Sequence, residues 1–451
     1  MRKIVFIIVV SLISALQSCE KGTYKQEEFV NLLNIEVGYE VTPEGYFFSD
    51  LGDWHGYGFN KPSADSVVGG FRGPAFTGER KLKLQWLSDC FEKLTLAEVV
   101  DGRRTAVSYT ASPVNEYLPG MLRQRLTAGT LSVELKEIAI SDRSTMIEYR
   151  ITNCGDRERE VIFSLRGKLA YQDAVCSVVD KNSLHVSVAD NKHHFVVSFP
   201  AGAVMESVTG KEYVMNLEST KIKPGKSGVF QTFTTYCPAS DKETAVATHQ
   251  QIAMDGAEDY WVQNKERWEG YINSILGRDT PYLQSERNRN WAVKALMTLH
   301  TNWRSAAGDL KHGGVQPATG HFDAFWAWDS WEHAAALSIF NPELAKEQMK
   351  TMFDYQTPEG MIVDLISIYK ENNNNKCSKP PIAGWATYMV YQRTKDKAFI
   401  KEMLPKLLKY HEWRYKYRDH DGNGLCEYGG IGPKVYMGQW ESGMDVAVKF
   451  Q

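Results

Sequence analysis

The sequence predicts an all-β sandwich in its first half and a helical domain in its second. Three observations carry this. Between about residue 35 and residue 237, apolar side chains recur at every second position. After Ser240 they recur with a helical period, and ten of the 12 tryptophans lie between Trp261 and Trp440. A period of two belongs to strands with one covered face, and a period near 3.6 to amphipathic helices. The 451 residues suffice for two or three domains, at about 100–200 residues each.

The N-terminus reads as an address. Arg2 and Lys3 precede the apolar stretch Ile4 to Leu16, and Gln17-Ser18-Cys19 follows. A basic start, a short apolar run and a small residue before the cut describe a secretory signal over residues 1–18. A Cys directly after Leu-Gln-Ser is similar to a bacterial lipobox, so Cys19 is the expected lipidation site. The expectation is an exported bacterial lipoprotein, periplasmic or anchored in the outer membrane, that meets the membrane through its lipid.

Residues 19–240 form the expected sandwich. Leu131-Val133-Leu135, Ile138-Ile140 and Ile147-Tyr149-Ile151 alternate with polar residues, and Asn153-Cys154-Gly155-Asp156 turns the chain. Val161-Phe163-Leu165, Leu184-Val186-Val188, Phe195-Val197-Phe199 and Val229–Phe233 repeat the pattern. Short alternating runs between Gly, Asn and Asp turns read as antiparallel sheets with one wet face. Residues 241–280 read as a helical linker, with Tyr260, Trp261, Trp268 and Ile272 at helical spacing. From residue 281 to 451 the expected helices are 281–307, 329–340, 342–355, 380–394 and 396–419. Asn341 before Pro342 is a cap followed by a proline at the first helical position, a strong helix start.

Composition excludes other classes. Hydrophobic residues make up 43% and charged residues 24%, as in a folded, water-exposed chain. The net charge of −3, from 52 basic and 55 acidic residues, gives no reason to expect nucleic acid as a partner. Beyond the N-terminus no apolar run is long enough to cross a membrane. Six cysteines remain after Cys19, without a CxxC pair, so neither a zinc site nor a disulfide framework is legible.

Four constellations carry chemistry. In Phe325-Trp326-Ala327-Trp328-Asp329-Ser330-Trp331-Glu332, tryptophan faces suit sugar rings and a carboxylate accepts sugar hydroxyls. The plainer reading is a capping box of Asp329 with Glu332 and tryptophans in the core. In Trp440-Glu441-Ser442-Gly443-Met444-Asp445, two carboxylates stand four apart, which taken alone describes a solvated turn. Asp419-His420-Asp421-Gly422-Asn423-Gly424-Leu425 sets oxygens at alternate positions: side chains of Asp419, Asp421 and Asn423, then the Leu425 carbonyl. That pattern suits a structural calcium ion, although Gly430 stands where an EF-hand places its bidentate Glu; a polar turn is the alternative. In Lys379-Pro380-Pro381-Ile382-Ala383-Gly384-Trp385, the prolines fix a helix entry, and Lys379 and Trp385 are candidate sugar contacts.

These motifs, in this order behind a sandwich, resemble glycoside hydrolase family 63, with its α-glucosidases and mannosylglycerate hydrolases. The resemblance covers nearly all of the chain after Cys19; trehalases share the Trp-x-Trp-Asp and Glu-Ser-Gly-x-Asp elements. It implies that residues 281–451 are the first part of an (α/α)6 toroid, incomplete in this chain. It also implies hydrolysis with inversion and no organic cofactor. Asp445 would be the general acid, and Trp326, Trp328, Asp329, Lys379 and Trp385 would contact an oligosaccharide or disaccharide. An acid that works near neutral pH must stay protonated, and an aromatic surround favours that by desolvating its charged form.

The family's general base is a Glu well downstream of the acid motif, and the sequence stops six residues past Asp445. Glu441 is too close in sequence to substitute. The expectation is therefore that these residues lack the general base and are inactive or nearly so. The leading reading is an exo-acting inverting α-glucosidase. A trehalase-like hydrolase and a non-catalytic sugar-binding lipoprotein are the alternatives; a polysaccharide lyase fits less well, because the loops offer Asp and Trp rather than a Tyr or His base.

Overall fold

A computed structural model describes residues 23–32, 47–59, 68–77, 84–110, 112–188, 192–320, 322–429 and 435–444. Two expected features, the signal with Cys19 and the acid Asp445, lie outside the described residues.

The first half is an antiparallel sandwich. One sheet has eight strands in the order 174–180, 183–188, 193–198, 227–238, 144–153, 131–139, 121–128 and 114–118. The other runs 204–208, 212–216, 159–168, 93–100 and 103–107, with 220–222 also paired to 159–168. A three-stranded sheet of 55–58, 72–77 and 84–86 completes the half. The register sets Val133 opposite Ile151 and Leu135 opposite Tyr149, so the alternating side chains meet on one face. Within the large sheet Tyr149 stacks on its cross-strand partner Phe230 at 4.8 Å, and Phe230 reaches across to Phe163 of the other sheet at 5.5 Å. Burying each such side chain contributes roughly 1.5–3 kcal/mol.

The other face of the large sheet is not simply wet, contrary to the alternation argument. Leu118, Met121, Ile138, Met146 and Phe233 form a second buried cluster, covered by Ile252, Tyr260 and Trp261. This is why Ile138 breaks step with Leu131, Val133 and Leu135. The linker is accordingly two helices rather than one: α1 (Lys242–Gln250) and α2 (Ala257–Leu276). The turn between them lets Ile252 reach the sheet before Tyr260 and Trp261 do.

Helices α3 (Glu286–Thr301), α4 (Ala327–Leu337), α5 (Pro342–Phe353), α6 (Ala383–Thr394), α7 (Lys397–Arg418) and α8 (Val435–Ser442) follow. The helix expected over 281–307 is instead a short 3-10 turn, Pro281–Gln284, then α3, which starts at its Ser285 cap. Asn341 Oδ1 accepts from the Leu344 N–H at 3.2 Å, as the Asn-Pro pair predicts, and Asp396 caps α7 in the same way. Helix α4 packs on α5 and α6, α5 on α6, and α6 on α7.

The halves meet at Asp50, which is fully buried. Its carboxylate accepts two bonds from Arg267, at 3.1 and 2.6 Å, and one from Trp268 Nε1 at 2.7 Å. Burial pushes the Asp50 carboxyl up, but the Arg267 guanidinium outweighs it and holds it below the usual range. Gly120 sits beside this seam with φ +75°, and a Cβ there would fall 1.9 Å from Trp268 Nε1.

Candidate active site

The site is built on a two-residue ribbon. Phe325–Trp326 pairs with Leu365–Ile366, and the Ala327 N–H donates to the Asp364 carbonyl at 3.0 Å. These bonds pin the first turn of α4, which holds Trp328 and Asp329. The ribbon, not a capping box, starts the helix: Trp326 is the cap residue and Asp329 lies inside the first turn. The tryptophans divide as both sequence readings allowed. Trp331 is fully buried against Phe353, whereas Trp326 and Trp328 are half-buried.

Asp329 is half-buried, and burial pushes its carboxyl up to about 6. A hydrogen bond from its own backbone and the Lys379 charge oppose that rise, while Glu332 and Asp364 add to it. A carboxylate in a first helical turn is ordinarily favoured by the helix dipole; here desolvation wins.

Three of the four motifs converge on this turn. Lys379 is only 6% exposed, and its Nζ donates to the Trp440 carbonyl while lying 3.4 Å from Asp364 Oδ1. Gly443, at φ +69°, packs so close that a Cβ would touch the Trp328 indole at 3.5 Å and Pro380 at 3.6 Å. Segments more than 100 residues apart in sequence thus share one cluster, and Asp445 follows it by two residues. Trp385 stands apart: it is 47% exposed, on the first turn of α6.

Glu441 is not on a solvated turn. It is fully buried and accepts from Arg414 Nη1 at 3.1 Å, from Arg418 Nε at 2.9 Å to each oxygen, and from the Gly429 N–H at 2.7 Å. Sequence reasoning missed Asp364, Arg414 and Arg418. The last two lie four apart on α7 and so share one face, a spacing that could have marked them as a carboxylate clamp.

The 419–425 loop closes on itself. Asp419 Oδ2 accepts from the Gly424 N–H at 3.0 Å, Asp421 Oδ1 from the Asn423 N–H at 3.2 Å, and Asn423 Oδ1 from the Leu425 N–H at 2.8 Å. Gly424 takes φ +85°, which the tight turn requires. Asp419 Oδ1 is buried with no hydrogen-bond partner, an acceptor that suits a cation. Among the described residues no group of three or more His, Cys, Asp or Glu is placed to hold a metal; this loop offers two carboxylates, an amide and a carbonyl. The six described cysteines form no disulfide.

Family models match both halves of the chain. Residues 40–290 match the family model "Glucosidase YgjK, N-terminal", and residues 323–451 match "Mannosylglycerate hydrolase MGH1-like glycoside hydrolase domain". Mannosylglycerate hydrolases MGH2 and MGH1 of Selaginella moellendorffii are each 30% identical over 163 residues, 32% of this chain and 32% of theirs. The mannosylglycerate hydrolase of Thermus thermophilus is 26% identical over 175 residues, 34% of this chain and 39% of that protein. The matches thus span well under half of these relatives' length. A solved human-microbiome structure with the provisional name kojibiose phosphorylase shares the fold at TM-score 0.54 and 12% identity, covering 86% of this chain and 59% of its own.

Proposed function

The chain belongs to the glycoside hydrolase family in which a YgjK-type N-terminal domain precedes an MGH1-like hydrolase domain, and from that premise we propose that it acts on the terminal residue of an α-linked oligosaccharide or disaccharide. The reaction is general acid/base hydrolysis with inversion, most nearly that of an α-glucosidase. One observation carries the reading: the Trp-rich turn, the Lys-Pro-Pro segment and the Glu-Ser-Gly segment meet around a carboxylate poised near pH 6.

Each residue has a task. Trp326 and Trp328 offer faces to the apolar side of a pyranose, and Asp329 accepts its hydroxyls. Asp445 protonates the glycosidic oxygen, and a second carboxylate about 6.5–9.5 Å from it activates the water on the opposite face. A calcium ion in the 419–425 loop, held by Asp419, Asp421, Asn423 and the Leu425 carbonyl, would brace the end of α7. Export as a lipoprotein acylated at Cys19 places the protein at a bacterial envelope.

The mannosylglycerate hydrolase relatives favour a second reading, an α-mannoside as substrate. Calorimetry with methyl α-D-glucopyranoside and methyl α-D-mannopyranoside separates the two. Binding of one sugar that is lost in Asp329→Asn supports the proposal. Binding of neither, or equal binding by the variant, overturns it.

A further inference from the structure

We infer that the buried Asp364–Lys379 pair is the positioning device of this site, locking the Trp440–Met444 segment against the Trp326–Asp329 turn. The inference rests on the reading of Asp329 as the sugar-holding carboxylate.

Asp364 is fixed from three sides. Its carbonyl takes the Ala327 N–H and its own N–H donates to the Asn374 carbonyl, both at 3.0 Å. Its Oδ2 accepts from Asn374 Nδ2 at 2.7 Å and from the Cys377 thiol at 3.7 Å. Oδ1 has no hydrogen bond and faces the Lys379 ammonium at 3.4 Å, with the two side chains 6% and 7% exposed.

Lys379 is gripped at both ends. Its carbonyl accepts from Tyr410 Oη at 3.0 Å and from Arg414 Nη2 at 2.6 Å, which ties its backbone to α7. Its ammonium spans from the ribbon to the Trp440 carbonyl on α8. The segment that leads to Asp445 is therefore held through this one side chain as well as through Glu441.

Stability alone does not explain such a pair, because well-packed apolar residues of similar volume commonly serve as well. Its neighbour does. The charged groups that face Asp329 are Glu332 from its own helix, Asp364 from the ribbon and Lys379 from the segment before α6. Lys379 favours the Asp329 carboxylate and Asp364 opposes it, so the two members act on Asp329 with opposite signs.

That opposition is the test. Tryptophan fluorescence of the whole chain is titrated from pH 4 to 8 without sugar, and the trace of Asp329→Asn is subtracted. Lys379→Met should move the Asp329 midpoint up by about half a unit or more, Asp364→Asn should move it down by a similar amount, and Lys379→Arg should leave it near native. A purely packing role would shift both variants the same way or neither, and either result overturns the inference. Should Lys379→Met fail to fold, the double variant Lys379→Met/Asp364→Asn, which buries no charge, carries the test. Its midpoint should return near native while affinity for the bound methyl glycoside falls at least about tenfold; unchanged affinity overturns the positioning role. If the native chain binds neither glycoside, the sugar reading fails, yet the sugar-free titration still decides the pair.

Discussion

Glu441 gives the sharpest separation of structure from chemistry, because its sequence position invites a catalytic role and its surroundings assign another. Replace it with Gln. The native carboxylate accepts three bonds from the Arg414 and Arg418 guanidiniums and one from the Gly429 N–H, with no exposure to water. Gln keeps one oxygen but turns an NH2 toward groups that only donate. Two guanidiniums, each less than a tenth exposed, then lose their counter-charge. Breaking a buried pair by removing one partner costs about 3–5 kcal/mol. With a urea dependence of about 1–3 kcal/mol per M, the unfolding midpoint should fall by about 1 M or more. The assay is urea unfolding followed by tryptophan fluorescence, since Trp413 and Trp440 flank the clamp. Hydrogen exchange should localise the loss to α7 and α8. A variant with an unchanged midpoint that nevertheless loses sugar binding would refute the argument and return Glu441 to the chemistry.

Further expectations follow from the same geometry. Asp329 is pushed up to about 6 when folded, above its unfolded value of 3.8. Its contribution is thus fully present below pH 3.8 and is lost as pH rises through about 6. Asp329→Asn should therefore raise stability at pH 7 by about 1–2 kcal/mol, after discounting for solvent, and by little below pH 4; a melting temperature equally raised at both pH values would contradict this. Asp50 is held below its usual range by Arg267, so its contribution is present above its unfolded pKa and is lost as pH falls through its folded value. Asp50→Asn should cost about 3–5 kcal/mol at neutral pH, read by urea unfolding, with the penalty shrinking in acid. Calcium at about 100 times its dissociation constant should stabilise the fold by about 2.7 kcal/mol relative to chelator; an unchanged melting temperature refutes a bound ion.

How much was legible depended on whether a residue's partner was local. Asn341-Pro342 announced α5 because a cap acts three residues away, and Leu131-Val133-Leu135 announced a strand because its period is written in the run itself. The Trp-Asp turn and the Gly next to Trp328 were legible as motifs, although not as contacts. The second covered face of the large sheet was missed because the cover of Ile138, Trp261, lies over 100 residues on. Lys379 read as an arm toward sugar, since nothing near it in sequence tells of Asp364 or the Trp440 carbonyl. Glu441 read as wet for the same reason. Burial of a charge is decided by what folds over it, and here that was the Arg414–Arg418 face of α7.

The seam at Asp50 has a consequence for how such chains are cut and recombined. The carboxylate belongs to the sandwich, and the guanidinium and indole that it holds belong to the helices. Residue 120 is glycine because the Trp268 ring fills the space where a side chain would go. A graft that separates the sandwich before α2 would leave a naked carboxylate in one fragment and an orphaned cation in the other. Because α2 also buries Trp268, Ile272 and Leu276 against Val293, Leu296 and Met297 of α3, a unit of exchange that keeps the sandwich whole carries both helices with it.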